Sequence, residues 1–121
     1  MDGTMKSFHG DIESLTRNNT NYRKVIFTGK KSQLVVMSLK PGEEVGEETH
    51  PVDQFFRVEQ GVAIFVLDGE DVIIAREGDA VLVPSGNKHN VINKSHTSTL
   101  KFYTIYAPPH HPDKEVQKTK S

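Results

Sequence analysis

The chain has no cysteine and no tryptophan, and its 121 residues show neither an excess of one charge nor a long apolar run. Each absence removes a class of function. Without thiols there is no disulfide framework, no thiolate metal site and no cysteine nucleophile. Fifteen Lys and Arg stand against sixteen Asp and Glu, so nothing in the balance draws the chain to nucleic acid or to an anionic membrane surface. No stretch approaches the roughly 20 apolar residues of a spanning helix, and no apolar segment follows the first charges as a secretory signal would. The expectation is a soluble cytoplasmic domain without nucleic-acid or membrane partners. The length suits one domain with a single core.

Helical periodicity is also missing from every window of ten or more residues. What the chain has instead is short β-branched and aromatic runs at regular intervals: 24–28, 33–39, 54–59, 62–67, 71–75, 80–84, 89–93 and 100–106. Between them lie Thr28-Gly29, Pro41-Gly42, Gln60-Gly61, Asp68-Gly69, Glu77-Gly78 and Ser85-Gly86. Asp68-Gly69 between two apolar runs is a hairpin signal. Eight short strands with glycine turns predict an all-β sandwich or barrel over 11–112. Asp11 can cap one helical turn. Residues 1–10 read as a flexible leader and 113–121 as a polar tail. The runs 62–67 and 80–83 are apolar on both faces, and strands of that kind need cover on both sides. In so short a chain the expected cover is a second copy, hence a homodimer.

The polar chemistry concentrates in two places. In "GEETHPVDQFFRVEQG", Glu48 and His50 are two apart and share one face of an extended strand. Pro51-Val52-Asp53 can turn the chain, after which Gln54, Phe56 and Val58 share a face of the next strand. His89 follows the turn 84–88 and shares a face with Val91 and Asn93. If a barrel closes, Glu48, His50, Gln54 and His89 converge in an otherwise apolar interior. A lone carboxylate buried there is costly, and a divalent cation removes the cost. Two nitrogens and two oxygens suit Zn, Mn, Fe, Co or Ni. In the run 100–106, Lys101 should face water and Phe102, Thr104 and Tyr106 should face inward. They join Phe56 and Val91 as the expected pocket wall, with Tyr106 the candidate polar or catalytic group because a buried hydroxyl needs a partner. Residues 107–112, too proline-rich for a sheet, should cross the barrel mouth. His110 and His111 within them could touch substrate or nothing, and nothing is the simpler reading. Lys88, Arg57 and Lys101 are candidate anion contacts more simply explained as solvated, and no Gly-rich phosphate loop is present.

"GDAVLVPSGNKHNVIN" places Gly78, Pro84, Gly86, His89 and Asn93 in the register of the second cupin motif: glycine, five residues, Pro-x-Gly, two residues, His, three residues, Asn. The first cupin motif is His-x-His, three or four residues, Glu, six residues, Gly. Here it reads Glu48-x-His50, three residues, Gln54, six residues, Gly61. The spacing is intact while the first His has become Glu and the Glu has become Gln. The chain therefore resembles the cupin family, nearest to small single-domain members labelled mannose-6-phosphate isomerase-like. The resemblance implies a jelly-roll β-barrel and one divalent metal per chain on Glu48, His50, Gln54 and His89. The departure is compensated. Three imidazoles and a carboxylate become two imidazoles, a carboxylate and an amide, and the donor set keeps one negative charge. The resemblance further implies a metal-dependent isomerase acting on a small polar or sugar-like ligand. An Fe(II)-type dioxygenase and a non-catalytic sugar-binding sensor are the alternatives.

Overall fold

The computed structural model describes residues 7–121. Of the expected leader, residues 1–6 lie outside the described residues. Helix α1 (Ile12–Arg17) starts at Asp11, whose carboxylate accepts from the Ser14 backbone N–H at 3.1 Å. The cap and a Glu13–Arg17 pair one turn apart stabilise so short a helix locally. Packing stabilises it further, because Thr16 is fully buried.

Nine strands follow: β1 (Arg23–Thr28), β2 (Gln33–Leu39), β3 (Asp53–Gln60), β4 (Ala63–Leu67), β5 (Asp71–Ala75), β6 (Ala80–Val83), β7 (His89–Ile92), β8 (Leu100–Ala107) and β9 (Val116–Gln117). They form a six-stranded sheet in the order β6-β3-β8-β2-β1-β9 and a three-stranded sheet in the order β5-β4-β7. The β4–β5 hairpin turns on Asp68 and Gly69, both at positive φ, 53° and 78°, the conformation for which Asp-Gly is suited. Gly61 is required twice over. Its φ is 87°, and a Cβ there would lie 3.0 Å from the Thr99 carbonyl oxygen.

Register arranges the inward face of the large sheet in rows. Leu39 pairs Leu100 at one end. The next row is Arg23, Met37, Phe102 and Val58. After it come Val25, Val35, Thr104, Phe56 and Val81. Gln33, Tyr106, Gln54 and Val83 form the last row. The small sheet closes over these with Ala63, Phe65, Ala75 and Val91, all buried. The last row, at one mouth, is thus the most polar, and Arg23 stands apart from it in the second row.

One expectation changes, and the cover expected from a second copy is not supplied within one chain. The segment expected as a polar tail adds β9 to the edge of β1, pairing Lys24 with Val116 and Arg23 with Gln117. The motif is only two residues long and polar, so no alternation announces it. The doubly apolar runs are not doubly covered within one chain: Leu82 is 64% exposed, and Val62 falls in the turn before β4 at 44%. Among the described residues, no helix is long and apolar enough to cross a membrane.

Candidate metal centre

The site is assembled by backbone pairing. Glu48 and His89 exchange both main-chain hydrogen bonds at 2.8 Å, so their side chains stand on the same face of the small sheet. His50, two residues along, brings Nε2 to 3.4 Å from Glu48 Oε1. Its carbonyl is held by the Gly86 N–H at 2.9 Å, which ties the two motifs together. Glu48, His50 and His89 each offer a donor atom, and these atoms all lie within 4.8 Å of one another.

Gln54 arrives from the opposite sheet. Its Nε2 donates to Thr104 Oγ1 at 3.0 Å, which turns Oε1 the other way. That oxygen is buried and has no hydrogen-bond partner. An unpartnered buried carbonyl oxygen costs about 1–3 kcal/mol, and a cation removes the deficit. His89 is prepared in the same way. Its Nδ1 lies 3.2 Å from the Asn87 carbonyl oxygen. A carbonyl only accepts, so Nδ1 carries the proton and Nε2 keeps its lone pair. Asn93, the last residue of the second motif, is structural: its Nδ2 donates to the Leu39, Lys40 and Ser98 carbonyls.

The cavity among these groups is about 10 Å³, room for one ion- or water-sized body. The four expected wall residues, Phe56, Val91, Phe102 and Tyr106, all line it. Burial pushes the Tyr106 hydroxyl well above the usual tyrosine range, with the Arg23 guanidinium opposing and Glu48 adding to the rise. The group is a proton donor at neutral pH.

Residues 107–112 do cross the mouth, but His110 and His111 do not stand idle there. The His110 ring stacks on Tyr106 and lies 4.2 Å, centroid to centroid, from His50. His111 Nε2 is 3.2 Å from the Tyr106 hydroxyl. Both are placed by Gln33, whose Oε1 accepts from their two backbone N–H groups at 3.1 and 2.9 Å. The sequence-based expectation of no contact is thereby corrected. A loop of prolines carries no periodicity, and its direction is set by a glutamine 77 residues earlier.

Of the three candidate cations, only Lys101 departs from the solvated reading. Lys101 Nζ bonds the Arg17 carbonyl at the end of α1, 2.7 Å away on the outer face. Arg57 lies beside Glu59, and Lys88 beside Glu47. None of the three lines the cavity. Arg23 does. The signal was strand parity: Arg23 and Val25 share a face, and starting the first strand at Lys24 left the arginine out.

A model of the cupin domain matches residues 35–106. The chain belongs to the cupin family. Its relatives include YrkC of Bacillus subtilis, described as uncharacterized, 43% identical over 96% of this chain and 65% of its own length. L612 of Acanthamoeba polyphaga mimivirus, also described as uncharacterized, is 43% identical over 88% of this chain and 68% of its own. The cupin described here thus spans about two thirds of each of these relatives. The crystal structure of BH2720 from Bacillus halodurans superposes with a TM-score of 0.92 at 37% identity, covering 98% of this chain and 94% of that one.

Proposed function

We propose that this cupin binds one divalent ion (Zn, Mn, Fe, Co or Ni) through Glu48, His50, Gln54 and His89 and uses it as an enzyme acting on a small polar molecule. The observation that carries the reading is the buried, unpartnered Gln54 Oε1, on a residue that lines the same cavity as Glu48 and His89. The bound ion would act as a Lewis acid on a ligand oxygen. The chain's own groups do the rest. Thr104 and Asn87 hold the two ligands in their donor orientations. Phe56, Val91 and Phe102 keep water out. Tyr106 stays protonated and is anchored at the cavity wall by His111.

For the reaction, an isomerase-like proton transfer on a sugar-like compound is one reading. A specific feature favours a second: Glu48, His50 and His89 are two histidines and one carboxylate, the donor set of non-haem Fe(II) oxygenases. Protein purified without a nickel column should carry close to one transition metal per chain by elemental analysis. Oxygen uptake with small chelating compounds would select the dioxygenase, and aldose–ketose exchange without uptake the isomerase. Tight ligand binding with neither would leave a non-catalytic sensor. Absence of metal, and no uptake on reloading, would sink the proposal.

We also propose that two copies pair. Leu82, Val72 and Ile74 are 64%, 62% and 52% exposed, and Leu82 continues outward across the large sheet into Phe55, Ile105, Leu34 and Phe27. A row of this kind is unusual on the free surface of a small domain. Sedimentation as a monomer at micromolar concentration would refute the pairing.

A further inference from the structure

We infer that Arg23 is the anion-binding residue of this cavity, and that the ligand is a small carboxylate with a second oxygen on the adjacent carbon, of the 2-hydroxy or 2-oxo acid class. The inference rests on the metal reading above, and specifies the ligand that such a centre takes.

Arg23 is on the inward face of β1 and lines the cavity together with Glu48, Gln54, His89 and Tyr106. Its guanidinium is held from two sides. Nη1 donates to Gln117 Oε1 at 2.8 Å, and the group's central carbon lies 5.2 Å from the centroid of the Tyr22 ring. Its Nε–H is buried and has no acceptor. A buried donor on a permanently charged group is among the most costly to leave unmet. Nε and the neighbouring Nη2 form the side-on edge with which arginine grips a planar carboxylate. Using Nη1 for Gln117 keeps that edge clear of the anchoring contact.

Charge points the same way. Glu48 is the only carboxylate among the residues lining the cavity, and Arg23 the only fixed cation. They cancel, so a divalent ion leaves two positive charges in a cavity otherwise walled by apolar and neutral groups. Such an excess is disfavoured on the buried side of the site, and less so around Glu48, whose side chain is 37% exposed. A neutral sugar would leave it in place, whereas a carboxylate reduces it. A six-coordinate ion held by four side chains keeps two positions, which a carboxylate oxygen and the adjacent hydroxyl or oxo oxygen can fill as a chelate. The other carboxylate oxygen is then the acceptor that Nε lacks.

The test uses the full chain loaded with Co(II), with cobalt content measured first. Lactate, its neutral isostere lactamide and inorganic phosphate are then titrated by calorimetry into the parent and into Arg23→Gln and Arg23→Lys. Lactate should bind the parent, and lactamide about thirtyfold more weakly, the scale of a charge-assisted hydrogen-bond pair. Arg23→Gln should lose about thirtyfold for lactate at unchanged cobalt content, and Arg23→Lys should recover part of it. If Arg23 merely clamps β9, the variants will melt earlier while lactate affinity stays put, and the inference falls although the metal reading stands. Phosphate binding without lactate binding also overturns it. If no cobalt is taken up, the metal reading fails. Arg23 is then judged on the metal-free protein, where weak lactate binding lost in Arg23→Gln supports the anion contact and its absence ends it. Should Arg23→Gln not fold, lactate against lactamide on the parent decides.

Discussion

The two ends of the barrel interior are built from the same strands and do opposite work. At the closed end Leu39, Leu100 and Ala63 are fully buried and apolar. At the mouth, the row Gln33, Tyr106, Gln54 and Val83 is almost as buried, 1 to 3% exposed, and mostly polar. Burial therefore does not separate structure from function here. What separates them is whether each buried group is satisfied within the chain. The apolar end asks for nothing but contact. At the mouth, Gln33 is fully paired through Thr28, His110 and His111, whereas Gln54 there, and Arg23 two rows further in, each retain one buried atom without a partner. Both residues line a common cavity, where a bound group would remove the two deficits.

Disruption of the closed end should give the largest effect. Leu100→Ala removes a fully buried side chain that pairs with Leu39. It should destabilise the fold by about 3–5 kcal/mol, a large part of the usual stability of a domain. Metal affinity per folded molecule, followed with a coloured chelator, should change less than about threefold. A parallel loss of affinity would mean that the two ends are not separable.

A smaller effect on stability, but a larger one on metal, is expected at the mouth. His89→Ala should lower metal affinity at least a hundredfold, more than loss of an outer partner would, and the chelated protein should keep its β signal in circular dichroism because the closed end is intact. Glu48→Gln should bind more weakly than the parent, since it removes the only anionic ligand. Glu48→His with Gln54→Glu, the family's usual set, should bind at least as well as the parent. Equal binding by Glu48→Gln would remove Glu48 from the ligand set.

The finest test of the comparison is acidification. Burial, followed by the positive Arg23 guanidinium, pushes the His111 imidazole down to about 4 from 6.5, with the Glu115 carboxylate at 3.4 Å working against it. Between those pH values the unfolded chain holds a proton that the folded chain rejects, so stability falls as the pH drops from 6.5 towards 4. In chelated protein, His111→Gln should flatten that limb of the melting profile. An unchanged slope would show that the mouth does not oppose this proton.

Where the strands lie was readable because alternation and glycine are local properties. The runs 33–39 and 71–75 coincide with β2 and β5, and Asp68-Gly69 makes its hairpin turn. Phe102, Thr104 and Tyr106 face inward as parity required, each at most 3% exposed. The four candidate ligands were readable for a related reason: two lie on one extended segment, and motif spacing relates them to the others. Arg23 was missed by one residue at a strand boundary, the least certain feature of any pattern. His110, His111 and the strand at Val116–Gln117 were missed because proline-rich and short polar segments have no period to read.

The sequence by itself determined the all-β class, the turns, the apolar core and which side chains are chemically fit to be ligands, because each depends on residue type and on neighbours two to six positions away. Only the tertiary structure decided which of them go unsatisfied. Gln54 gives its nitrogen to Thr104, 50 residues on. Arg23 gives Nη1 to Gln117, 94 residues away, and so turns a segment that reads as a tail into part of the site. The physical reason is that satisfaction of a hydrogen bond is a property of closed geometry. It exists only once distant strands are paired in register, and no local pattern encodes it.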